Sequence, residues 1–139
     1  MLATLVLSEA AARTAGVVLL TVVTIELGGA FLLRVVRGSI PMTDFQRTFA
    51  RAGHAHAGVL VTLGLVCLLL AEATDLTGFA AWIARTGVLI SAILMSAGFF
   101  LSSAGEGRTR PNGLIALLYL GAVSLAAGVV VLGVGLLTS

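Results

Sequence analysis

Glu26 is the only ionisable side chain in the apolar run Thr14 to Leu33, TAGVVLLTVVTIELGGAFLL. A carboxylate at that depth in a bilayer is costly unless something pairs with it, so it marks a working site or a structural polar contact. The chain's two histidines, His54 and His56, open the next apolar run in the sequence GHAHAG. An imidazole beside a carboxylate can share or exchange a proton near neutral pH. These three residues, with Tyr119, are the candidates for an ion or proton site.

Their depths follow from the helical rise, counting from the nearest arginine of each run. Glu26 lies about 12 Å from the level of Arg34, His54 and His56 about 4.5 and 7.5 Å from Arg51, and Tyr119 about 13 Å from Arg110. Ser102, Ser103 and Asn112 lie at the same end. Polar groups from all four runs thus gather in one leaflet. Glu26 and His56 differ by about 5 Å along the axis, within reach of two extended side chains. Pairing is expected between Glu26 and His56, the deeper histidine. His54 is expected to face the interface or a loop, because residues two apart on a helix point about 200° apart. The same angle argues against both histidines gripping one metal ion. Any metal would draw on His54, His56 and Glu26.

The elements that must position these groups are four spans. The chain has 139 residues, 59% hydrophobic and 10% charged, where a soluble domain carries roughly 25% charged. A spanning helix needs about 20 mostly apolar residues. The qualifying runs are Thr14 to Leu33, Gly53 to Ala71, Ala81 to Ser103 and Gly113 to Leu137, separated by Gly- and Pro-bearing turns. They are solidly apolar without two-residue alternation, which excludes a β-barrel. The expected fold is all-α: one integral membrane four-helix bundle. The first residues, MLATLVLSEAAART, lack the positive start of a secretory signal and read as a lead-in to the first span.

Arginine placement orients the spans. Arg34, Arg37, Arg47 and Arg51 flank loop one and Arg108 and Arg110 lie in loop three, while the other side has Arg13 and Arg85. Six against two places loops one and three in the cytoplasm and both termini outside, in a multi-pass protein of a bacterial inner membrane. Loop two is acidic, with Glu72 and Asp75. Arg85 is expected to snorkel to the headgroups, beside Trp82 as an interfacial anchor. Thr43 reads as an N-cap, with Phe45 and Phe49 making an amphipathic start that runs on into span two. Asn112 is placed to cap span four.

Gly121, Gly128 and Gly135 repeat at seven-residue spacing in span four. Small residues let helices approach closely in lipid, so this seam serves packing within the bundle or, alternatively, an oligomer face. Cys67 has no cysteine to pair with in the chain and reads as a small hydrophobe.

No nucleophile motif, phosphate-binding loop or Cys-x-x-Cys pair is present, which argues against an enzyme. A net charge of +2, with the basic residues flanking the membrane, argues against nucleic-acid binding. The reading that follows is proton- or ion-linked transport or relay. Two alternatives stand beside it. One is a haem- or metal-binding redox subunit, since bundles hold haem through histidine; GHAHAG resembles, over six residues, the histidine-bearing helices of membrane haem proteins. The other is an accessory subunit of a larger membrane complex. The expected partners are the lipid bilayer and a homo-oligomer or that complex.

Overall fold

The computed structural model describes residues 7–139. The first six residues of the expected lead-in lie outside the described residues. Four long helices are packed together: α1 (Glu9–Val36), α2 (Asp44–Ala71), α3 (Gly78–Ser103) and α4 (Ala116–Thr138), the last preceded by a 3-10 turn over Gly113–Ile115. All four are long and apolar enough to cross a membrane, the mark of a multi-pass membrane protein.

Local sequence sets the helix ends. Ser8 Oγ accepts from the Ala11 amide at the start of α1. At α2, Thr43 and Gln46 form a reciprocal capping box, which satisfies two otherwise unpaired amides. The amphipathic start and the apolar run are therefore one helix. Asn112 Oδ1 accepts from the Leu114 amide 2.8 Å away and caps the turn into α4. Gly38 follows α1 at φ +76, a conformation that any side chain would strain.

The helices do not close into a ring. The backbone of α3 runs against both α2 and α4, which touch each other over a shorter stretch, whereas α1 approaches only α2. Glycine explains why α3 and α4 lie so close. A Cβ on Gly87 would stand 2.9 Å from the Gly128 Cα, and one on Gly128 would stand 3.0 Å from the Val88 amide nitrogen. Towards the other end, a Cβ on Gly98 would stand 2.6 Å from the Leu118 nitrogen, and one on Gly121 would meet Met95 at 2.5 Å. Gly135 faces Leu76 in the loop between α2 and α3. The three seam glycines of α4 are thus buried inside the chain. Close approach also lets Ser124 Oγ donate to the Gly87 carbonyl at 2.7 Å, a hydrogen bond between helices. Around this contact lies the core of Leu60, Cys67, Ala71, Ala84, Val88, Ala92, Met95 and Leu132.

Filling the seam should force α3 and α4 apart. Gly128→Leu is expected to destabilise the protein by about 1–3 kcal/mol, the usual range for overpacking. Gly133→Leu, where an added Cβ meets nothing within 4 Å, should melt close to wild type. Thermal melts of both variants in one detergent decide the point.

Candidate functional site

His54 lies against α1. Its ring sits over the Gly28–Gly29 pair, so that a Cβ on Gly28 would stand 3.3 Å from Nδ1 and one on Gly29 3.5 Å from Nε2. Two adjacent glycines open the space that the imidazole fills. His56 points elsewhere. Its ring packs on Phe99 of α3 with centroids 4.9 Å apart, and its Nδ1 lies 2.7 Å from the Ala52 carbonyl. A carbonyl can only accept, so Nδ1 carries a proton in this contact. One helical turn before Phe99, the Ser96 hydroxyl is buried without a hydrogen-bond partner among the described residues.

The expected Glu26–His56 pair does not form. Among the described residues Glu26 makes no ion pair, and its side chain lies on the exposed surface of α1. His56 is turned toward α3 and His54 toward α1, so the histidine nearer the helix that carries Glu26 is His54. Similar depth does not imply a shared direction around the helix axis. Tyr119 departs in the same way. It is 64% exposed and, among the described residues, makes no hydrogen bond to the other candidate groups.

Glu26 can be placed more closely on α1. Phe31 lines a cleft of about 630 Å³ with Gln46, Ala50 and Phe100, on the side of α1 and α2 nearer α3. Five residues separate Glu26 from Phe31, or about 140° around the helix. Glu26 therefore lies on the opposite flank. That flank borders a second, outer groove of about 680 Å³, lined by Ile25, His54, Ala55, Gly58, Val59, Thr62, Leu63 and Val66. Helix geometry thus puts the acid on the side of the α1–α2 pair where His54 lines the groove, with no hydrogen bond or ion pair between them among the described residues.

Among the described residues, no three His, Cys, Asp or Glu side chains come together as a metal site. The two histidines diverge toward different helices, so one metal or haem iron in a single chain can take at most one of them.

Two polar stations at the ends of the helices were not foreseen. At one end, the 8% exposed Gln46 side chain donates through Nε2 to the carbonyls of Ser103, at 3.0 Å, and Gly105, at 2.6 Å. The capping residue of α2 thereby holds the end of α3. At the other end, Glu72 Oε2 accepts from the Ser8 amide at 2.8 Å. Its Oε1 meets Arg85 Nε at 3.1 Å and a terminal guanidinium nitrogen at 3.0 Å. Arg85 is therefore paired rather than snorkelling alone. Opposite charges on either side of the turn between α2 and α3 were the available signal; nothing local pointed to Ser8, 64 residues away.

The Ser8 amide, helped by Arg85, holds the Glu72 carboxyl below its ordinary value of about 4.5 against the opposing effect of burial. A carboxyl whose pKa is lowered by folding stabilises the fold above its unfolded pKa, and that contribution is lost as pH falls through the lower folded value.

No known protein family matches the chain, and no curated protein or solved structure matches it either.

Melting temperature should be level above about pH 4.5 as far as Glu72 is concerned, then fall with acidification. Glu72→Gln should lower the melting temperature at neutral pH and flatten the acid limb. Parallel pH–melting curves of wild type and variant are the measurement; superimposable curves would contradict the assignment.

Proposed function

We propose that this chain is a multi-pass protein of a bacterial plasma membrane, with both termini outside, in which Glu26 and His54 handle protons beside the α1–α2 groove as part of proton- or ion-linked transport or relay. One observation carries the reading. His54 lines the outer groove together with Ile25, the residue before Glu26, and among the described residues neither Glu26 nor His54 is consumed by an internal ion pair. A carboxylate engaged in a permanent salt bridge would exchange its proton far less readily. The arginine asymmetry supports the orientation.

His54 replaces His56 in this scheme because it lies against α1. His56 donates its Nδ1–H to the Ala52 carbonyl and packs its ring on Phe99, which suits a packing role. A second reading, an accessory subunit of a larger complex, is favoured by α1 itself. Val17, Leu20, Val23 and Leu27 are between 61% and 75% exposed, a long apolar helix backed by α2 alone.

Proteoliposomes carrying an imposed pH gradient test the first reading. Wild type should dissipate the gradient, and Glu26→Gln should slow it by about a hundredfold, the scale of losing a proton-transfer group. Tyr119→Phe, altered on the outward face, should match wild type. Equal rates for wild type and Glu26→Gln would end the proposal and leave the accessory reading.

A further inference from the structure

Glu26 and His54 lie at nearly the same depth. The His54 ring covers Gly28 and Gly29, two and three residues from Glu26, which is only about 3–4.5 Å along the axis. His54 lines the outer groove with Ile25, Glu26 follows Ile25 on the flank turned away from Phe31, and each lacks an ion-pair partner among the described residues. A carboxylate on an exposed flank at this depth is costly against acyl chains alone. A neighbour of complementary charge or hydrogen-bonding capacity would relieve that cost.

A second copy of the chain satisfies that demand with no added component. Two copies inserted in the same direction are related by a two-fold axis along the membrane normal, and such an axis keeps every residue at its own depth. A two-fold interface is also self-reciprocal: if one residue meets another across it, the second meets the first. Two groups of opposite chemistry at one level on one flank meet this requirement. The head of the outer groove is floored by Ala55 and Gly58, and a Cβ on Gly58 would meet nothing within 4 Å. A neighbouring helix can approach closely there.

We propose that the protein forms a symmetric dimer through the outer α1–α2 face, in which Glu26 of each copy pairs with His54 of the other. The proton site is then completed in trans: it has two equivalent halves, each built from both chains. This deepens the proton-handling reading by naming the partner of each group, and association alone tests it.

The experiment measures energy transfer between donor- and acceptor-labelled copies in liposomes over a series of protein-to-lipid ratios. Wild type should associate. Glu26→Gln and His54→Gln should each associate about tenfold more weakly, since each removes both symmetry-related polar contacts. The deciding sample mixes donor-labelled Glu26→Gln with acceptor-labelled His54→Gln. In that mixed dimer the intact His54 of the first chain faces the intact Glu26 of the second, so association should recover toward wild type. A contact within one chain could not be rescued by mixing. Helical circular dichroism on each variant separates loss of pairing from loss of fold.

Three results would overturn the dimer: wild type monomeric at every ratio, single variants associating as strongly as wild type, or a mixture no tighter than its components. The first would leave lipid or a different membrane protein against Glu26. Gradient dissipation by a demonstrably monomeric wild type would refute the dimer and spare proton handling; a dimer that passes no protons would do the reverse.

Discussion

Close contact between α3 and α4 is the constraint on which the arrangement rests. Apolar side chains gain nothing by leaving lipid for another apolar surface, so helices in a membrane are held by dispersion at short range and by hydrogen bonds between them. Gly87, Gly98, Gly121 and Gly128 bring the two backbones together. At that separation the Ser124 hydroxyl reaches the Gly87 carbonyl. With α4 seated, α3 becomes the centre and α2 packs on its other side, where Gly53 and Gly64 receive Phe99, Phe100 and Leu89. Only α1 is left without a comparable seam. Its meeting with α2 centres on an imidazole laid over two glycines.

This difference accounts for where polar groups are found. Among the helices that pack tightly, buried hydroxyls are mostly spent locally: Ser103 Oγ bonds the Phe99 carbonyl and Ser91 Oγ lies against the Met95 sulfur. The unspent acid and imidazole sit beside α1, the element least enclosed by the rest. A closely packed α2–α3–α4 core and a helix backed by α2 divide the molecule into an enclosed part and a part with surface to offer.

The spans were legible because length and composition suffice for them: a backbone in lipid must satisfy its own hydrogen bonds, and a helix does so. Thr43 and Asn112 were legible as caps for equally local reasons. The seven-residue glycine repeat of α4 showed that something lies close, but the same repeat would serve α3 or another copy, and only the coordinates place α3 there. Rotation about the helix axis was the quantity that could not be read. Counting residues gives depth, and depth alone grouped Glu26, His54, His56 and Tyr119. The azimuths of these residues scatter, sending Tyr119 outward, His56 to α3 and Glu26 to an outer flank. The Gly28–Gly29 pair was the missed clue, since a gap that wide on one helix calls for a bulky side chain on the next. Ser8 with Glu72 was beyond local reasoning, because a backbone amide carries no sequence signature.

The bond from the Ser8 amide to Glu72 joins the beginning of α1 to a residue 64 positions later. As the chain emerges from the ribosome, the first helix therefore exists long before its latch does. That latch waits until the second helix is complete and Glu72 has been made, with Arg85 joining the acid later still. Of the four helices, α1 is latched by residues made after it, and throughout that interval its acidic flank is open to whatever stands beside it.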